Sequence, residues 1–158
     1  MRSILESLPR ILAGHDAIAV GTRDAALRPG CSLAAGAAFP DAEHMTVYVP
    51  ETTGIETLLD LEKNGMIAVV FEEISTHHTI QVKGRVTEIR PAREDERGIV
   101  EKSIGGFFAQ VEAFGGRPSV VRKKRRWPCR AVTFAVSDVF EQTPGPKAGT
   151  PFAGEGAR

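Results

Sequence analysis

Cysteine is scarce: the 158 residues contain Cys31 and Cys129 and no others. Neither belongs to a C-x-x-C pair, and no Cys/His spacing matches a zinc site. One Cys31–Cys129 bridge could form, but two free thiols in a reducing compartment is the plainer reading. Net charge is missing too. Twenty Lys and Arg offset twenty Asp and Glu, and a chain without a positive field suits neither general nucleic-acid nor membrane-surface binding. No window approaches the ~20 apolar residues of a membrane-crossing helix. The N-terminal MRSILESLPRILAGHD also lacks the uninterrupted apolar stretch of a signal peptide. These absences set the expectation of a soluble, cytoplasmic protein. Nor is there a visible Ser-His-Asp or Cys-His arrangement. The runs Glu72-Glu73 and Glu94-Asp-Glu96 look like solvated turns or a helix start rather than an acid–base pair.

What is present is an ordinary globular composition, 42% hydrophobic and 25% charged, in a length that suits one domain with one core. Ile4, Leu5, Leu8, Ile11 and Leu12 predict a short amphipathic helix, which Pro9 should divide. DAIAVGT (16–22) reads as a first strand and residues 30–39 as a second, rich in small residues. Met45, Val47 and Val49 alternate along a third, so an antiparallel meander is expected. Thr53-Gly-Ile-Glu56 matches a capping box ahead of Ile55, Leu58, Leu59 and Leu61, and Asn64-Gly65 closes that helix. MIAVVF (66–71) predicts a strand buried on both faces. From Thr79 to Ile89 alternation returns. Ile80, Val82 and Val86 point one way, and Thr79, Gln81, Lys83, Arg85 and Thr87 the other. Residues 91–113 have helical bias, weakened at Gly105-Gly106. Residues 130–136 form a last strand, continued by Val139-Phe140. A Pro- and Gly-rich tail follows. The expectation is an α+β domain over 1–145, mostly antiparallel strands in a small barrel with flanking helices, and an irregular tail over 146–158.

The segments VGTRDAALRP, MTVYVP, LLDLEKNGMIAVVF, HHTIQVKGRVTEI and VFEQTPGPKAG, in that order, resemble the pyridoxamine 5'-phosphate oxidase-like FMN-binding split barrels, in an uncharacterised bacterial branch. The resemblance covers residues 16–150. It implies a six-stranded split β-barrel and a homodimer, with FMN in a groove between subunits and its phosphate held by basic side chains. It also implies oxidoreductase or flavin-reductase chemistry carried by the flavin. Members of the family include deazaflavin users, haem-handling proteins and some that bind nothing known. Counted onto this sequence, the family's Arg and Lys after the second-strand Pro fall on Ser32 and Gly36. Its helix Lys falls on Thr57 and its Gln on Thr79. The usual phosphate cations are therefore replaced. Buried phosphate needs paired cations or several donors, and the substitutes on offer are Arg23 and Arg28, Thr52 and Thr53, and Gln81, Lys83 and Arg85, with His77 and His78 just ahead. Each has a plainer role as a turn, a helix cap or a wet sheet face.

Two other signals stand beside these. His77 and His78 could serve a haem or another planar anion, although adjacent strand residues point apart and suit no single metal ion. The run Arg122-Lys-Lys-Arg-Arg-Trp127 reads either as a solvated helix end or as an arm reaching toward a bound anion. Cys31, beside Ser32, is expected as a small core residue. A flavoprotein, a haem-type binding dimer and a dimer with an empty groove all remain open.

Overall fold

The computed structural model describes residues 2–117, 119 and 126–153, without the side chains of 2–4. Its helices are α1 (Arg2–Ile11), α2 (Ile55–Asn64) and α3 (Arg97–Ala113). Its strands are β1 (Ala17–Arg23), β2 (Pro29–Leu33), β3 (Ala37–Ala38), β4 (His44–Pro50), β5 (Met66–Glu73), β6 (His78–Pro91), β7 (Cys129–Glu141) and β8 (Thr150–Pro151). One antiparallel sheet runs β2-β1-β5-β6-β7-β4-β3, with β8 added on β7.

The expected second strand is divided, and the division curls the sheet. The Ala34 N–H still donates to Ile18 O of β1 (3.0 Å), whereas the Ala35 N–H donates to Tyr48 O of β4 (2.7 Å). The chain thus leaves one end of the sheet and joins the other within a few small residues. The meander expected from β1, β2 and β4 is corrected accordingly: β4 pairs with β3 and β7. Among the described residues hydrogen bonding marks eight strand segments, of which β2 and β3 are halves of one run and β8 is a two-residue addition.

The barrel interior is filled by β-branched and aromatic side chains: Val20, Val47, Val49, Val69, Phe71, Ile80, Val82, Val132 and Phe134 are all buried. Each such burial is worth about 1.5–3 kcal/mol. On β5 only alternate residues go inward. Ile67, Val69 and Phe71 are buried, while Met66 is 40% exposed. Burial on both faces is therefore corrected. By register, Ala68 and Val70 lie beside Gly21 and Ala19 of β1, which gives a small, apolar outer face.

Several local expectations change. The α2 N-cap is Gly54, with no side-chain cap, so the capping box at Thr53 does not form. The Thr53 and Gly54 N–H groups instead fold back on Pro50 O (3.3 and 2.9 Å), and a Cβ at Gly54 would collide with Val49. At the other end Gly65 takes the left-handed cap (φ 65°), as the sequence predicts. Helix α3 runs unbroken through Gly105-Gly106. A Cβ at Gly106 would strike the Asp16 carboxylate, so this glycine marks a close approach, not a break. Pro9 stays inside a single α1. Both thiols are free, and Cys31 is exposed rather than part of the core. Within the tail, β8 pairs with β7, the Phe152 N–H donates to Val139 O (2.9 Å) and the Phe152 ring packs on the core. No described helix is long and apolar enough to cross a membrane.

His15, 6% exposed in the turn into β1, meets His78 of β6 with Nε2 and Nδ1 2.8 Å apart. Burial, and then the nearby His78, hold its pKa below the ordinary 6.5. The folded state therefore prefers neutral His15. Its contribution to stability is complete above pH 6.5 and declines as the unfolded chain takes up the proton at lower pH. The melting midpoint is expected to fall between pH 7.5 and 5.5, by about 2–4 °C for each kcal/mol lost. In His15→Gln that part of the decline should vanish, which calorimetry at both pH values measures.

Candidate functional site

Ser32 pairs with Val20 across the β1–β2 ladder, so its side chain lies on the barrel side of β2. Its Oγ is buried and has no hydrogen-bond partner. Leaving a buried hydroxyl unpaired costs about 1–3 kcal/mol, so the atom is notable. It borders a pocket of about 240 Å³ lined by Cys31, Ser32, Leu33, Thr53 and Arg126. The Arg126 Nε is likewise buried without a partner. Burial lowers the guanidinium below its ordinary pKa, and among the described residues no carboxylate pairs with it. Its backbone is held from behind, where the Cys129 thiol donates to Arg126 O (2.8 Å). Burial pushes that thiol up to about 12, which makes it an inert packing group.

Ser32 Oγ and Arg126 Nε, both buried and without a hydrogen-bond partner among the described residues, therefore belong to side chains that line one pocket. That arrangement suits an anion, since charge-assisted hydrogen bonds would satisfy both atoms together.

Comparison with solved structures shows the fold. No family model matches the sequence, and no curated protein aligns with it. HupZ of Group A Streptococcus superposes with a TM-score of 0.55 at 16% identity, over 88% of this chain and 94% of that one. A putative pyridoxamine 5'-phosphate oxidase from Lactobacillus delbrueckii gives 0.51 at 15% identity, over 82% and 88%. An FMN-binding protein from Syntrophomonas wolfei gives 0.50 at 10% identity, over 87% and 90%. The fold is that of the pyridoxamine 5'-phosphate oxidase-like split barrels.

On this split barrel the residues singled out in the sequence separate into groups. Ser32 and Thr53 share the pocket with Arg126. Arg23 and Lys83 share an outer groove of about 470 Å³ with Gly30 and Met66. There the Arg23 guanidinium rests against Met66 Sδ (3.0 Å), and Lys83 Nζ lies 4.7 Å from the Phe140 ring centre. Thr79 and Gln81 sit nearer the start of β6 and are taken up by the chain after β7: Thr143 Oγ1 accepts from the Thr79 N–H (3.0 Å), and Gln142 Nε2 donates to Gln81 Oε1 (3.3 Å). Arg28 is a turn residue, 81% exposed and paired with Asp24 at 2.7 Å. Thr52 lies exposed in the turn before α2. Thr57, 2% exposed, is buried within α2 and does not line the pocket.

The histidines are engaged elsewhere. The His77 Nδ1 pairs with Glu72 (2.9 Å), and His78 meets His15. Among the described residues no cluster of three or more metal-ligating side chains occurs. Of the basic run, Arg122–Arg125 lies outside the described residues. Arg126 was legible only as one cation among five, and its burial, which sets it apart, has no signature in sequence.

Proposed function

We propose that this split barrel binds FMN as a homodimer and serves as a flavin-dependent oxidoreductase in a reducing cytoplasm. The observation that supports this most directly is the pair of unpartnered buried atoms, Ser32 Oγ and Arg126 Nε, on one pocket. Arg126, Ser32 and the Thr53 hydroxyl would hold the phosphate in place of the cations that Ser32, Gly36 and Thr57 have replaced. When bound, the flavin supplies hydride or electron transfer, and the chain supplies binding and orientation. An empty groove would leave both polar atoms desolvated with no return. The small outer face of Ala19, Gly21, Ala68 and Val70 suits a second copy, and Arg23 and Lys83 border it.

The test is fluorescence titration of the purified protein with FMN and, in parallel, with riboflavin, which lacks the phosphate. Saturable quenching by FMN, with much weaker quenching by riboflavin, is the expected result. Equal affinity for the two, or no quenching at all, would refute the reading.

A further inference from the structure

A second cleft, of about 350 Å³, opens between α1, the start of β1 and α3. Its walls include Leu12, Ile18, Phe39 and Phe71, all core residues or packed against the core. Asp16 stands in it with weak support. Its Oδ1 accepts from Ser103 Oγ at 3.3 Å and its Oδ2 from Gln110 Nε2 at 3.4 Å, both long. The same Gln110 Nε2 donates over a shorter distance to Gly14 O (2.8 Å). Lys102 and His15 border the cleft, but among the described residues no Lys, Arg or His forms an ion pair with Asp16. Helix α3 leaves space for the carboxylate: at Gly106 a Cβ would overlap it. Burial accordingly raises the Asp16 pKa from its ordinary value of 3.8.

A half-buried carboxylate without a counter-ion, set in an apolar cleft, is a receptor for a cation with an apolar body. We propose that this cleft binds a small organic ammonium, a protonated primary amine on an apolar frame, with Asp16 as its counter-ion. An ammonium brings three donors, and each Asp16 oxygen has accepting capacity beyond its one long bond. Leu12, Ile18, Phe39 and Phe71 would cover the frame. The cleft itself shares none of Ser32, Thr53 or Arg126, although Asp16 and Arg126 both border a small pocket of about 20 Å³ beside it; the benzylammonium and FMN titrations therefore read the two proposals separately.

Benzylammonium is the probe, and its binding is followed by amide chemical shifts around Gly14 and Ser103. Saturable shifts are expected, with benzyl alcohol binding at least about tenfold more weakly because it lacks the charge. Asp16→Asn, nearly isosteric, should weaken benzylammonium by about tenfold or more. Lys102→Met, at an exposed position, should strengthen it about twofold at low salt by removing a competing cation. The opposite signs of the two substitutions separate charge recognition from a general loosening of the fold. Equal binding of the alcohol, undiminished binding to Asp16→Asn, or weaker binding to Lys102→Met would each overturn the proposal. Should Asp16→Asn not fold, the Lys102→Met and alcohol arms still decide.

Discussion

Arg126→Ala is expected to weaken FMN roughly 10- to 100-fold while leaving riboflavin unchanged. A hydrogen bond between a charged pair is worth about 1.5–3 kcal/mol, and each 1.4 kcal/mol is tenfold in affinity. Among the described residues Arg126 is the cation on this pocket, so none of them would compensate. Its effect on folding should run the other way. A guanidinium half-buried without a carboxylate carries a desolvation cost, and the substitution removes it. The melting midpoint should therefore hold or rise as FMN affinity falls. Arg126→Lys should recover part of the affinity, because an ammonium restores the charge without the planar fork. A loss of riboflavin and FMN binding in equal proportion would show that Arg126 supports the barrel rather than the phosphate.

The second large effect concerns stability. Glu96, 7% exposed ahead of α3, gathers four donors. Arg90 Nη1 and Nη2 donate to its two oxygens at 2.8 and 2.7 Å, the Arg93 N–H donates at 2.7 Å, and the buried Tyr48 hydroxyl donates at 3.2 Å. This knot ties the end of β6 and the start of α3 to β4. Glu96→Ala leaves the buried Tyr48 hydroxyl without its acceptor and Arg90 with Glu88 alone (3.4 Å), and each charged hydrogen bond lost costs about 1.5–3 kcal/mol. Against a total stability of about 5–15 kcal/mol, denaturant titration should show a large fall in midpoint. Glu96→Gln should fall between the variant and wild type, since it keeps an acceptor but loses the charge.

The acid side of the stability curve carries the same signature. Arg90 holds the Glu96 carboxyl down from 4.5 to about 2. Its contribution is complete above pH 4.5 and disappears as pH falls toward 2. The Tyr48 hydroxyl, buried against Glu96, is pushed up to about 12 and stays a donor throughout. Glu96→Gln should therefore lose the wild-type acid dependence in that window. A variant as stable as wild type at neutral pH would mean that the knot contributes nothing.

The shared core face of Met45, Val47 and Val49 on β4, the inward Ile80 and Val82 of β6 and the Asn64-Gly65 stop of α2 were legible because period and turn chemistry are local properties. Other features misled for an equally physical reason. An apolar run such as MIAVVF does not say whether its second face meets a helix, a partner or water. A glycine pair does not say whether it breaks a helix or lets Asp16 approach one. Thr53-x-x-Glu56 has the letters of a capping box, yet the turn closing on Pro50 starts the helix later.

By itself the sequence determined the balance of charge, the scarcity of cysteine, the alternation that makes a mostly antiparallel barrel, and the loss of the cations that the resemblance would place at Ser32, Gly36 and Thr57. Only the tertiary structure decided which of the remaining polar groups matter. Arg126 and Ser32 are far apart in the chain, and Arg28, Thr57 and Lys83 carry the same chemical labels as a working site without sharing its pocket. A ligand site depends on which donors are desolvated together and left unpaired. Desolvation is a property of the packed chain, and no residue holds it alone.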